Sequence, residues 1–311
     1  MNFFGLSSKR RRGGAPFSWT ARTSSYSGTI IRAVNTDTSG TYISIGDGGK
    51  LATSTNAGVT WTQRTSSFSG SNVSDIAYDA GNSLWIAGGA AGKIATAAAA
   101  DITSWTQRTS NFGGDAVFGV GCDGAGNSVA VGWNNKVSDS TNGTTWTART
   151  GTFSSFGSKV NYGSDGNWVA AGADNDDIST SPNRVNWTDE ANLLTATYVR
   201  DSWYNGSLWV VTAYSGQLAS AVDPTGTWTN RTSGLGGTDN IHCVGYGNGW
   251  WLVGADDGNI AYSTDGINWT ASTITAFTTG NDEIYGLTYD TTDDIWVAVG
   301  SSGICATSPG S

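Results

Sequence analysis

Histidine, cysteine, proline and charge are all scarce in this chain of 311 residues, and each scarcity closes a class of function. The one histidine, His242, removes most metal sites and acid–base schemes built on imidazole. Cys122, Cys243 and Cys305 lack the C-x-x-C spacing of zinc or redox sites and are expected as buried free thiols. Charged residues make up only 13% of the chain, and no stretch approaches the roughly 18 apolar residues of a membrane span. No signal peptide is expected either. Phe3, Phe4 and Leu6 precede a basic run, and Gly13-Gly14-Ala15-Pro16 stands where the apolar core of an export signal would lie. Four prolines against 44 glycines and 15 tryptophans leave short strands and tight polar turns as the material of the fold.

What is abundant is a repeat. Trp-Thr pairs recur at Trp19, Trp61, Trp105, Trp146, Trp187, Trp228 and Trp269, with spacings of 42, 44, 41, 41, 41 and 41 residues. A period of about 40 residues holding several short strands predicts a propeller or a solenoid. Alternating runs such as Tyr42–Ile45 and Lys50–Ser54 precede the strand that begins at Thr60-Trp61-Thr62, and one more run, such as Val73–Tyr78, lies ahead of each such unit. That is four strands per unit, the count of a propeller blade. A glycine closes the second strand at Gly46, Gly88, Gly132, Gly172, Gly254 and Gly300, with Thr212 in the fifth unit. Glycine there allows a positive φ or a close approach between strands.

The two ends of the chain complement each other. The last unit runs Ile284–Asp290, Ile295–Gly300 and Ile304–Ser308 and has no Trp-Thr strand, whereas Phe17–Thr23 is a Trp-Thr strand with no unit before it. Together they make one blade, which shields edges that would otherwise pair with other chains. The expected fold is therefore all-β, a seven-bladed β-propeller of four antiparallel strands per blade, with the N-terminal strand completing the C-terminal blade. The expected domains are a basic and aromatic arm over residues 1–16 and a propeller over residues 17–311.

The turn before the outer strand carries a more specific signal. Ser54-Thr55-Asn56-Ala57-Gly58-Val59-Thr60-Trp61 resembles the Asp-box, the S-x-D-x-G-x-T-W hairpin of BNR-type repeats, and residues 140–146 and 263–269 are tighter versions. In such a turn Asn or Asp caps the backbone, Gly takes the left-handed position and Trp packs between blades. Propellers with this box include sialidases, sortilin-type receptors, photosystem assembly factors and phage structural proteins, so the resemblance implies the fold and leaves the function open. Sialidases hold a carboxylate with arginines that converge on the axis. Here Arg22, Arg64, Arg108, Arg149 and Arg231 instead repeat on the outermost strand, where structural pairing is expected. The Arg-Ile-Pro motif of sialidases is also absent, Ile31-Arg32-Ala33 being its nearest match.

Other chemistry is thin. Asp174, Asp176 and Asp177, with Asp256 and Asp257, fall in corresponding loops, but nothing marks the raised-pKa acid that glycoside hydrolysis needs. The 174–177 run lacks the ligand spacing of an EF-hand, so its binding of Ca²⁺ would be weak and adventitious. No catalytic residue, cofactor or metal is expected, and the chain is read as a non-enzyme. The aromatics after the Arg-Thr pair (Tyr26, Phe68, Phe112 and Phe153, with Leu235 and Phe277) either wedge between blades or ring one face as a sugar platform. Trp133 and Tyr214 do not follow the repeat. They are the candidates, beside the five aspartates, for a ligand-contacting face.

The net charge of −9 is carried by the propeller, because Lys9, Arg10, Arg11 and Arg12 are a quarter of all 16 Lys and Arg. Nucleic acid is therefore not an expected partner of the propeller. An acidic, Gly-, Ser- and Trp-rich body with no export signal fits a phage virion protein, assembled in the host cytoplasm and released by lysis. In that reading Phe3, Phe4, Leu6 and Lys9 to Arg12 dock on other virion proteins, and the loop face meets a host-surface glycan or protein. The alternative is an intracellular interaction scaffold resembling the assembly factors, and a carbohydrate-active propeller comes third.

Overall fold

Seven separate four-stranded antiparallel sheets make up the fold, and six of them keep their strands in sequence order. Residues 16–37, 39–173, 178–190, 194, 198–277 and 282–310 are described in this computed structural model. Blades 1 to 6 span residues 31–64, 73–108, 117–150, 156–189, 199–232 and 241–273. Blade 7 takes its three inner strands from Ile284–Asp290, Ile295–Gly300 and Cys305–Pro309, and its outermost strand is Thr20–Arg22 from the other end of the chain. The closing register pairs Thr20 with Thr307, Ala21 with Ala306 and Arg22 with Cys305. Phe17 anchors this clasp from the side, with its ring centroid 5.7 Å from that of Trp250 and 6.4 Å from that of Trp296. The expected propeller and its mode of closure are both present. The arm residues Phe3, Phe4, Leu6 and Lys9 to Arg12 lie outside the described residues.

Each interface between blades holds its own apolar cluster, and the repeated tryptophan is what each blade contributes to the one before it. Trp61 of blade 1 packs on Val297 and Val299 of blade 7, Trp146 of blade 3 on Ile86 and Ile94 of blade 2, and Trp228 of blade 5 on Val169 and Ile178 of blade 4. The aromatics after the Arg-Thr pair sit in the same clusters. Tyr26, Phe68, Phe112 and Phe277 are fully buried, so they are wedges and form no sugar platform. Between blades 4 and 5, Leu194 takes that place. A second series, Trp85, Trp168, Trp209, Trp251 and Trp296 on the second strands, stacks on tyrosines ending the inner strands at 5.0 to 5.2 Å.

The turns that aim the first series are held by side-chain caps. Asn56 Oδ1 accepts the Thr60 N–H at 3.0 Å, Gly58 adopts φ 71°, and Trp61 Nε1 donates to the Gly58 carbonyl at 3.0 Å. In blade 6, Asp265 accepts the N–H groups of Asn268 and Ile267, both at 2.8 Å. Those bonds, the Asn268 N–H first, hold its carboxyl far below the usual range. The repeated arginines reach sideways to the third strand: Arg64 Nε donates to Thr53 Oγ1 at 2.9 Å, Arg108 Nε to Thr96 Oγ1 at 2.8 Å, and Arg149 Nε to Asp139 Oδ1 at 2.8 Å. They stitch outer strands down and stand away from the axis.

The recurring glycine proves to be two positions. Gly46, Gly132 and Gly300 face the first residue of the inner strand, as does Gly89, and Gly172 faces Gly157, the residue before the register slips, whereas Gly88 and Gly254 sit one residue earlier. Close approach is the reason. A Cβ on Gly300 would lie 1.8 Å from the Glu283 carbonyl oxygen, and one on Gly132 would lie 2.1 Å from that of Ala116.

Candidate functional site

The close approach at that strand end accompanies a device present in every blade. The innermost strand carries a β-bulge one residue in, where the pairing register with the second strand slips. A bulge re-aims one side chain and sharpens the local twist. The bulged residues are Arg32, Ser74 and Phe118 in blades 1 to 3, Ser158 and Arg200 in blades 4 and 5, and His242 and Tyr285 in blades 6 and 7. The bulges lie at the same end of the innermost strands, which in all seven blades line an axial channel, a cavity of about 530 Å³, and Tyr285 reaches that cavity itself.

The residues just after the bulges point charge into that channel. Lys159 of blade 4 forms an ion pair with Asp75 of blade 2. The other Asp75 oxygen, Oδ2, accepts the Val120 N–H of blade 3 at 2.9 Å. Asp201 of blade 5 accepts the N–H groups of Ser202 at 2.8 Å and Val244 at 3.2 Å, and Asn161 Nδ2 at 3.3 Å. Burial pushes the Asp201 carboxyl up to about 6, although Lys159 and the two N–H groups favour its charge. Burial opposes the Lys159 charge too, but Asp75 and then Asp201 outweigh it and lift the ammonium above its ordinary value. The oxygens of both carboxylates are committed to internal donors. The network ties blades 2 to 6 together and presents no open acid–base pair.

Around the mouth, rings touch in sequence over five blades. Phe118 lies 5.5 Å from Trp133 and 5.0 Å from Phe156, and Trp133 lies 4.6 Å from Phe156. Phe156 continues to Tyr198 at 6.2 Å, and Tyr198 to Tyr214 at 5.1 Å. His242 closes the arc between Tyr214 at 6.0 Å and Tyr285 at 5.0 Å. Trp133 is 41% exposed, in a chain whose repeated tryptophans are sealed or half-buried. Arg200 lies over the Tyr214 ring, 5.5 Å from its centroid.

His242 is buried and its Nε2 stands 2.6 Å from Asp256 Oδ1. Burial opposes the Asp256 charge, but the His242 contact and the Asn240 N–H prevail and hold its carboxyl below the ordinary range. A carboxylate can only accept, so Nε2 carries the proton of this contact, and Nδ1 is buried without a partner. Tyr285 donates to Glu283 Oε2 at 2.8 Å. On the far wall Arg32 forms a two-pronged pair with Asp47.

Of the residues expected at a ligand face, Trp133 and Tyr214 lie in this arc and Asp256 fixes its histidine. Asp257 is an exposed turn tip at φ 56°. Asp174, Asp176 and Asp177 lie outside the described residues. Phe118, Phe156, Tyr198, Arg200 and Tyr285 escape the sequence reading. Phe118, Arg200 and Tyr285 share one column of the repeat, the second position of their innermost strands, whereas Phe156 begins its strand and Tyr198 precedes one. Among the described residues no group of three or more His, Cys, Asp or Glu is placed to hold a metal ion, and no helix is long and apolar enough to cross a membrane. The three cysteines are free, with Cys122 and Cys243 on innermost strands and Cys305 on a third strand.

No family model and no curated protein matches the chain. Solved structures match it in fold and define its class as a seven-bladed propeller. YCF48 from Cyanidioschyzon merolae is 14% identical with a TM-score of 0.73, over 94% of this chain and 98% of that one. YCF48 bound to D1 peptide is 15% identical with a TM-score of 0.72, over 95% of this chain and 96% of that one. A catalytically inactive virginiamycin B lyase from Staphylococcus aureus, with Quinupristin, is 12% identical with a TM-score of 0.82, over 94% and 99%. At these identities the likeness carries the fold alone.

Proposed function

We propose that this propeller is a non-catalytic protein-interaction module that holds an extended peptide segment of a partner across the aromatic arc at its channel mouth. The arc itself is the supporting observation. Its rings stand at blade positions where other blades carry non-aromatic residues, span only blades 3 to 7, and leave Trp133 in solvent. Adjacent rings are inclined by 41° to 81°, so they offer edges and notches in place of one flat stacking plane. Notches fit side chains better than they fit the broad face of a sugar ring. A propeller of the same fold, YCF48, has been solved with a peptide bound. The committed polar groups of the channel and the tethered His242 argue for holding over turnover.

This puts the scaffold reading ahead of the virion reading. The Asp-box resemblance and the phage setting stay with the second: there the peptide belongs to another virion subunit, and the basic arm adds a further contact. Selection from a synthetic peptide array by the purified protein tests the interaction reading. Wild-type protein is expected to select a consistent motif, and Trp133→Ala combined with Tyr214→Ala is expected to lose it while staying folded. Equal selection by the double variant would sink the site, and release of sugar from a glycan panel would move the protein to the carbohydrate-active class. Mass spectrometry of purified virus particles from the source separates the two settings.

A further inference from the structure

We infer that the peptide is recognised through a single carboxylate, received by Arg200. This rests on the interaction reading and adds to it the chemistry of one ligand group. Arg200 is the bulged residue of the innermost strand of blade 5, Val199–Tyr204, at the centre of the arc. Its guanidinium lies over the Tyr214 ring, and its Nε is buried with no hydrogen-bond partner. Every other arginine among the described residues is hydrogen-bonded or ion-paired through its side chain.

Among the described residues, the carboxylates around the mouth are already spent. Asp256 is held by His242 and the Asn240 N–H, Glu283 by Tyr285, Asp201 by three internal donors, and Asp47 by Arg32. A guanidinium with aromatic backing and no counter-ion among the described residues presents a planar fork of donors to a planar acceptor, which is the geometry of a carboxylate. Stacking on Tyr214 fixes the plane of the fork and reduces the side-chain freedom lost on binding.

The charge of the whole chain limits what the ligand can be. A net charge of −9 repels a run of acidic residues at long range, so attraction operates only at contact. One acid flanked by apolar or aromatic residues for the notches fits, and a polyacidic segment does not. The carboxylate can be an Asp or Glu side chain or a chain terminus, which are the same group to Arg200.

The test uses two synthetic peptide arrays, one with free and one with amidated C-termini, probed with the full chain and with Arg200→Gln and Arg200→Lys. Wild-type protein is expected to enrich peptides with one acid and to discriminate against acidic runs. Replacing that acid by its amide should weaken binding roughly tenfold in wild type and leave R200Q indifferent. R200K, which keeps the charge and loses the fork, should fall between them. Preference confined to the free-terminus array assigns the carboxylate to a chain end, and preference in both arrays assigns it to a side chain. A motif that W133A abolishes but that contains no enriched acid overturns this inference and leaves the interaction reading standing. Acid preference retained by a folded R200Q also overturns it. If no peptide is selected, both fall.

Discussion

Lys159 and Asp75 meet inside the axial channel although 84 residues and a whole intervening blade separate them. Asp75 is 3% exposed and Lys159 is largely covered, so each group's charge is tolerated mainly because of the other. Lys159→Met should strand the Asp75 carboxylate and lower unfolding free energy by about 3 to 5 kcal/mol. Adding Asp75→Asn should restore part of that loss. Urea denaturation of the two variants reads the outcome, and a change below about 0.5 kcal/mol in K159M would show the pair to be incidental.

Asp201 makes the same network sensitive to pH. Its folded carboxyl titrates at about 6, above the ordinary 3.8, chiefly because it is buried. A raised value favours the protonated fold, so this contribution is fully present below about pH 4 and is lost as pH rises through about 6. Asp201→Asn keeps a neutral group of the same shape at every pH. The stability of wild type relative to D201N should therefore drop by about 3 kcal/mol from acid to neutral pH. A difference that stays flat across that window refutes the assignment.

Phe17 reports on closure. It is 8% exposed and packs on Trp19, Trp250, Tyr262 and Trp296, so it is the apolar lock on a three-residue strand. Phe17→Ala should lower stability by about 3 to 5 kcal/mol and speed amide exchange at Cys305 to Thr307 ahead of the other blades. Uniform exchange in all blades would mean that the ring does not open at this seam.

The architecture is legible in the sequence because every interface between blades needs one large side chain at the same place. Trp61, Trp146 and Trp228 answer an identical packing demand, and that demand imposes the period. The closing blade follows from the unmatched strand at each end. The glycine register was less legible, since Gly88 and Gly89 both fit a pattern and only pairing distinguishes them. The mouth was least legible. Trp133 and Tyr214 stand out because they fall off the period, whereas Tyr285 sits between Ile284 and Gly286 and Arg200 between Val199 and Asp201, inside strands where residue type alone does not say which side chain faces the mouth. A bulge leaves no signature in residue type, because it is a property of two strands read together.

The seven bulges separate two demands that usually compete in a protein. The residues that seal the interfaces lie between sheets, while bulged residues such as Phe118 and Tyr285 turn to the mouth and Ser158 instead bonds the Val199 and Arg200 carbonyls of the next blade. Arginine, serine, phenylalanine, histidine and tyrosine all occupy that slot here on nearly the same backbone. Where the bulged side chain faces the mouth the ring is a keyboard, so a new preference can be written there one letter at a time without retuning the frame.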